Sequence, residues 1–208
     1  MEAARVTVVK LGGSYADAAD LKPWLDAIAA CAGYVVLVPG GGPFADAVRD
    51  AQRRMGFDDR VAHHMALTAM DQYGCALMSL SQGLTRADSM EAIQAAADCG
   101  RIPVWAPAGM VLAAGEIPAS WDVTSDSLAA WLAGKIGAAR LLLVKRVRPA
   151  GPCVRAAELV ARGLADAKFP EFLRASGAAA AIAGPADHAA APAALRSGAL
   201  CGTRIDPH

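Results

Sequence analysis

The sequence predicts an α/β fold: a three-layer α/β/α sandwich around a mainly parallel central sheet. Three observations carry that reading. About six short apolar runs alternate with stretches of helical periodicity, the pattern of strand–helix units that build a parallel sheet. The runs are continuously apolar, with no in-and-out alternation, which fits strands buried on both faces. Two of them end in glycine-rich turns that lead directly into helices.

The first unit is Val6 to Val9 running into Lys10, then Gly12-Gly13-Ser14 and a helical pattern through Leu21, Trp24, Leu25 and Ile28 that stops at Gly33. Ser14 is a plausible cap for the helix beyond the turn, and the glycine pair suits a close backbone approach or positive φ. Tyr34 to Val38 is the second strand. Pro39-Gly40-Gly41-Gly42-Pro43 closes it, and Phe44 to Met55 reads as a helix with Pro43 in its first turn. Asp58 to Gln82 is a long helical stretch. Asp88-Ser-Met-Glu91 has capping-box spacing and opens a short helix ending near Gly100. Ile102 to Ala106 is a third strand, and Pro103 assigns it to an edge. Pro107 to Pro118 reads as an irregular loop carrying a small hairpin or a flap over the site. Thr124 or Ser125 caps a helix over Leu128 to Ala138, and Arg140 to Val147 is the most apolar strand, central in the sheet. Two short helices, Glu158 to Leu164 and Phe169 to Arg174, precede a strand at Ala178 to Ala183, a helix at Asp187 to Ser197 and a closing edge strand at Leu200 to Ile205.

At 208 residues the chain holds one sizeable α/β domain, and no shift in composition marks a boundary within 1–208. Its 20 basic and 20 acidic residues cancel, so no net field recruits nucleic acid or a membrane surface. An aromatic content of 5% also argues against a stacking platform for single strands. No apolar run reaches the roughly 18–20 residues of a membrane span. The first residues lack the charged-then-apolar order of a signal peptide, so a cytoplasmic location is expected. Five widely spaced cysteines without a C-x-x-C argue against a disulfide scaffold or a zinc site.

Lys10, at the carboxyl end of its strand, with Gly12, Gly13 and Ser14 describes an anion site, although an ordinary glycine turn with a solvated lysine gives the same pattern. The repetition at Gly40 to Gly42 strengthens the first reading, because two such turns line one crevice of an open α/β sheet. Neither turn is a G-x-G-x-x-G fingerprint or a P-loop. His63 and His64 point about 100° apart on one helix, which makes a shared metal ion difficult. Either one is half-buried and the other solvated, or one faces the crevice. Ser125 and Asp126 gather hydroxyl, carboxylate and free N–H groups at a helix start, the mark of a site or simply of a well-capped helix. Lys145 and Arg146 stand at the carboxyl end of the central strand.

In family order, Val-Val-Lys10-Leu-Gly12-Gly13-Ser14, Val-Pro-Gly40-Gly41-Gly42-Pro, Asp-Val-Thr-Ser-Asp126-Ser and Gly202-Thr203-Arg-Ile resemble the amino-acid kinase superfamily. His63-His64-Met-Ala-Leu-Thr-Ala-Met-Asp-Gln-Tyr, Thr-Ser-Asp-Ser-Leu-Ala-Ala-Trp-Leu-Ala-Gly-Lys and Asp166-Ala-Lys-Phe-Pro are most similar to its small archaeal and methylotroph branch, which contains the [5-(aminomethyl)furan-3-yl]methyl phosphate kinases of methanofuran-type cofactor synthesis. The resemblance implies transfer of the γ-phosphoryl group of ATP, with Mg²⁺, to a phosphate monoester, giving a diphosphate. It implies an acceptor-side half over about 1–120, a nucleotide-side half over about 121–208, and a homo-oligomer of dimeric type. Lys10, Gly12, Gly13, Ser14, Ser125, Asp126 and Lys145 would bind ATP, and Gly40, Gly41, Gly42 and one of His63 and His64 the acceptor. Lys10 would touch the transferring group and Asp126 would orient the catalytic lysines. Lys145-Arg146-Val-Arg stands where the superfamily often has Thr-Asp-Val-Asp-Gly, so Lys145 and Lys168 compete as second catalytic lysine. No side chain is expected to ligate a metal directly. A carboxylate acceptor met by Arg49, Arg53 or Arg54, another phosphate such as UMP or isopentenyl phosphate, and a non-catalytic nucleotide- or anion-storage protein are the alternatives.

Overall fold

The computed structural model describes residues 6–208, so the reading of the first residues as free of a signal peptide lies outside the described residues. Among these, eight strands join in one sheet: β1 (Thr7–Leu11), β2 (Val35–Pro39), β3 (Leu84–Ala87), β4 (Ile102–Trp105), β5 (Arg140–Val144), β6 (Cys153–Arg155), β7 (Ala179–Ala183) and β8 (Thr203–Asp206). Their order is β3-β4-β2-β1-β5-β7-β8-β6, and every pair is parallel except β7 with β8. The three-layer sandwich with a mainly parallel sheet is therefore what the chain forms.

The apolar runs are continuous because each strand feeds two cores. Val8, Val36, Val38, Leu141, Leu143 and Ile182 enter one apolar cluster. Their neighbours Val9, Val35, Leu37, Leu142, Val144 and Ala181 enter the other. The first cluster is covered by α6 (Ser125–Lys135), α7 (Ala156–Ala161) and α8 (Phe169–Ser176) through Leu128, Leu132, Leu159, Phe169 and Leu173. The second is covered by α1 (Leu21–Ala29) and α9 (Ala191–Ser197) through Trp24, Leu25, Ile28 and Leu195. The helix α3 (Asp59–Leu80) serves both, giving Leu67 and Met70 to one and Tyr73 and Leu77 to the other. That division explains its apolar content on more than one side. Between β2 and α3 lies α2 (Gly42–Met55), with Pro43 in its first turn as the sequence requires.

Several elements differ from the sequence reading. Ser14 caps no long helix: it lies in a 3-10 turn, Gly13–Tyr15, and α1 begins only at Leu21. The strands β3 and β6 go unread in the sequence. Both are sheet edges, short and partly exposed, so neither shows an apolar run. They also displace two strands from the edges assigned to them: β4 lies between β3 and β2, and β8 between β7 and β6. Pro103 is tolerated inside because β4 registers with β2 at a single pair, Leu37 with Val104. Ser89, not Asp88, caps α4 (Met90–Asp98), its side chain accepting from the Ala92 N–H at 3.1 Å. No hairpin or flap occupies 107–118. Instead α5 (Ala108–Leu112) packs down, with Val111 and Ile117 joining the core. The last helical stretch is split into a 3-10 turn, Pro185–Ala189, and α9.

Candidate active site

The carboxyl ends of β1, β2 and β5 open into one cavity of about 280 Å³. Two backbone loops make one wall. Gly12 donates its N–H to the Val144 carbonyl at 3.0 Å, and Gly40 donates to the Leu11 carbonyl at 2.8 Å, so each loop is tied to a neighbouring strand. The loops then touch through bare backbone. A Cβ on Gly13 would lie 2.3 Å from the Gly42 nitrogen, and one on Gly40 would lie 2.4 Å from the Gly13 nitrogen. Close approach, not unusual backbone, explains Gly12 and Gly13, since neither has positive φ. Left-handed backbone occurs instead at Gly42, φ +56°, where the Tyr73 ring packs against the Cα. Gly12, Gly13, Ser14, Gly41 and Gly42 line the cavity, whereas Gly40 lies behind them as the contact that lets the loops meet.

The floor is ionic. Lys10 shares the strand face of Val8, beneath α6, and the first turn of α6 carries Asp126. Lys10 Nζ is 2.9 Å from Asp126 Oδ1, and Lys145 Nζ, just past β5, is 2.7 Å from Oδ2. Lys10 and Asp126 are each only 3% exposed. Burial alone would push the Asp126 carboxyl up, but the Lys10 and Lys145 charges outweigh it and hold the carboxyl well below the usual range. Burial pushes the Lys10 ammonium down to about 8, against the pull of Asp126 and with help from the Lys145 charge. One carboxylate thus aligns two ammonium groups whose remaining donors border the cavity. The Lys145 main chain is pinned separately, its carbonyl accepting from Tyr15 Oη at 3.0 Å.

The start of α6 is not free in the way its sequence suggests. Asp166, from the segment between α7 and α8, accepts from the Thr124 N–H at 3.0 Å, the Thr124 hydroxyl at 2.8 Å, the Ser127 N–H at 3.0 Å and the Ser127 hydroxyl. Thr124 is the N-cap by position but makes no side-chain cap of its own. Ser125 lines the cavity.

The opposite wall belongs to α2, α3 and the segment before α6. His63 is 8% exposed and lines the cavity, while His64 is exposed and turns to a shallow groove with Phe44, Val61 and Met65. Burial, then the neighbouring His64, lowers the His63 pKa. Arg49 also lines the cavity and stacks over the Trp121 ring at 4.2 Å. Arg53 and Arg54 are exposed and stand outside it, Arg53 on Asp50. Gln52 fixes Trp121, accepting from its indole Nε1 at 2.7 Å and donating to Asp59 Oδ1 at 2.8 Å.

Lys168 does not join the lysine pair. Its ammonium is 2.9 Å from Glu171, its side chain is 43% exposed, and it borders no part of the cavity. What it contributes inward is a backbone bond, its N–H to the Asp122 carbonyl at 3.0 Å. Sequence reasoning missed Trp121, Tyr15 and Asp166 as site residues. Trp121 directly precedes the Asp-Val-Thr-Ser-Asp126-Ser motif, but its pairing with Arg49 and Gln52 crosses about 70 residues of chain and leaves no local pattern.

Residues 5–149 match the amino acid kinase family. A [5-(aminomethyl)furan-3-yl]methyl phosphate kinase of Methanocaldococcus jannaschii is 30% identical over 134 residues, which is 62% of this chain and 60% of that relative's length. In fold, the chain is similar to uridylate kinase from Archaeoglobus fulgidus, with a TM-score of 0.71 at 17% identity over 97% of this chain and 100% of that one. UMP kinase from Ureaplasma parvum gives 0.71 at 16% identity over 98% and 99%.

Proposed function

The chain belongs to the amino acid kinase family, and on that premise we propose that it is an ATP-dependent phosphotransferase acting on a small phosphate monoester. The observation that carries this reading is the single buried carboxylate clamped by Lys10 and Lys145 at the floor of a cavity walled by two touching glycine loops. Phosphoryl transfer is catalysed mainly by positioning and charge neutralisation. Bare backbone loops admit a polyphosphate closely, and two aligned ammonium groups face the place where negative charge gathers.

An oxygen of the acceptor phosphate attacks the γ-phosphorus, the bond from γ-phosphorus to the β,γ-bridging oxygen breaks, and ADP leaves with that electron pair. The acceptor is already ionised, so no strong general base is needed. Lys10 contacts the transferring group, Lys145 takes the nucleotide side, and Asp126 holds both in line. Gly12, Gly13, Ser14 and Ser125 bind the ATP phosphates. Gly41 and Gly42 cradle the acceptor phosphate, with Gly40 supporting them, Arg49 adding positive charge and the His63 ring offering a hydrogen-bonding group. The acceptor-side half of the proposal is about 1–120, which also sends Lys10, Gly12, Gly13 and Ser14 to the ATP phosphates, and the nucleotide-side half is about 121–208. Both oxygens of Asp126 are taken by lysines, so Mg²⁺ would be held through the nucleotide's own phosphates. There it supplies neutralisation of the phosphate charge.

The acceptor we propose is (5-(aminomethyl)furan-3-yl)methyl phosphate, giving the diphosphate for methanofuran-type cofactor synthesis. Support comes from the identity to the M. jannaschii kinase, over 60% of that relative. No helix among the described residues is long and apolar enough to cross a membrane, and we propose a cytoplasmic location. The groove of Phe44, Val61 and Met65, each 39–46% exposed, supports a homo-oligomer through α2 and α3. Light scattering that finds a single monomeric species would contradict it.

The test is ³¹P NMR of the purified protein with Mg-ATP and an acceptor panel: the furan phosphate, isopentenyl phosphate, UMP and acetylglutamate. A new pair of diphosphate doublets with the furan phosphate alone is expected. Transfer to another phosphate corrects the acceptor. Transfer to acetylglutamate, or ATP binding without transfer, overturns the phosphate-acceptor reading.

A further inference from the structure

Two carboxylates meet at the start of α6 and use different partners. Asp126 is ion-paired with the two lysines, and Asp166 is held by N–H and hydroxyl groups. The residues that Asp166 holds are Thr124 and Ser127, on either side of Asp126. Each gives both its amide and its hydroxyl, so the turn carrying Asp126 is bracketed on both flanks. An ordinary N-cap side chain satisfies one or two amides from within its own turn. Here the local candidate, Thr124, turns its hydroxyl to Asp166 instead. The segment is also latched by the Lys168 N–H on the Asp122 carbonyl, just before the helix. Asp166 lies beyond residues 5–149, so the clasp reaches the site from outside the part of the chain that matches the family.

Proximity has a cost that a purely structural cap would avoid. Burial raises the Asp166 pKa and the Asp126 charge raises it further, while bonds from Ser127 and Thr124 oppose both. The two negative groups are kept close although Thr124 could have capped the helix without a second charge.

We infer that Asp166 is a positioning residue for the proposed phosphoryl transfer: by gripping Thr124 and Ser127 it fixes the direction of Asp126, and through Asp126 the alignment of Lys10 and Lys145. Asp166 touches neither nucleotide nor acceptor. The inference rests on the functional reading above, and one of its two readouts is independent of that reading.

The experiment compares wild type with Asp166→Asn, and with the milder Ser127→Ala in case the first fails to fold. The substrate-free readout is the titration of Lys10 by NMR in protein carrying ¹³C-labelled lysine. The charged groups facing Lys10 are Asp126 and Lys145. If Asp126 swings out of line, Lys10 loses its counter-charge, so its midpoint moves to lower pH in Asp166→Asn and by less in Ser127→Ala. The second readout is the split between kcat and ATP affinity, taken well below the melting temperature. Misplacing a catalytic group by about 1 Å costs on the order of 10²-fold in rate, so kcat should fall by about that much while the Kd for ATP stays within about threefold. A lowered melting temperature with unchanged Lys10 titration and unchanged kcat would reduce Asp166 to a structural cap and overturn the inference. So would equal losses of kcat and ATP affinity. If wild type transfers nothing while the Lys10 midpoint still moves, the functional reading fails and the positioning of Asp126 by Asp166 stands.

Discussion

The glycine loops after β1 and β2 and the first turn of α6 face the same cavity and are built by opposite means. The loops work by lacking side chains: Gly13, Gly40 and Gly42 bring two backbones into contact, and a single methyl group at Gly13 would separate them. The α6 turn works by collecting side chains from distant strands and loops, Lys10, Lys145 and Asp166, around Asp126, Thr124 and Ser127. The first is made of two local glycine motifs brought into contact, and the second of single side chains scattered along the chain. Their failure modes therefore differ. Damage to the loops is steric, whereas damage to the turn leaves charges buried without partners.

The largest effect is expected on the ionic side. Asp126→Asn strands two ammonium groups at a buried site. Breaking a buried ion pair by removing one partner costs about 3–5 kcal/mol. Chemical denaturation should show a loss of that size, with phosphoryl transfer abolished. An equally stable and active variant would mean that Asp126 is not the shared counter-ion.

The loops should respond next, and the comparison has an internal control. Gly13→Ala drives a methyl group into the Gly42 backbone, and overpacking of this kind costs about 1–3 kcal/mol. Nothing lies within 4 Å of a Cβ placed on Gly115, so Gly115→Ala should change stability by no more than about 0.5 kcal/mol. Equal melting temperatures for the two variants would remove the close-approach explanation.

The lysines sharpen the contrast further. Removal of one preorganised donor to a reacting anion costs roughly 10²–10³ in kcat, which is the loss expected for Lys145→Ala. Lys168→Ala removes a partly exposed side chain paired with Glu171, and kcat should stay within about twofold. The reverse ranking would make Lys168 the second lysine.

The smallest expected effect is a pH shift. With the Lys10 ammonium lowered to about 8, kcat/KM should fall as pH rises through that value, because the free enzyme loses the proton. Lys145 is a like charge that lowers Lys10, so Lys145→Ala should move the alkaline limb to higher pH. A limb that stays fixed would assign it to another group.

The same contrast explains what could be read in advance. The strands β1, β2, β5 and β7 are buried on both faces and write continuous apolar runs into the sequence. The glycine turns are local, and Lys10, Asp126 and Lys145 occupy strand ends or a helix start that such patterns mark. The edges β3 and β6 are half solvated and carry no apolar run, so the sheet reads as too narrow and β4 and β8 as its borders. The tight helix α5 is hidden among prolines and glycines that favour a loop reading. Asp166 opens a motif that carries the resemblance, but its role is not legible there because its four donors lie about 40 residues earlier. Lys168 follows the same rule in reverse: its position in a motif drew attention, but the fold turns its side chain outward.

The most direct test of one carboxylate aligning two lysines is a double-mutant cycle of Lys10→Ala and Lys145→Ala on the single-turnover rate of phosphoryl transfer. Residues joined through one ion-pair network show interaction energies of about 0.5–3 kcal/mol. The expected result is a double variant that loses at least about 1 kcal/mol less than the sum of the single losses. Strictly additive losses, or a wild-type rate in either single variant, would contradict it.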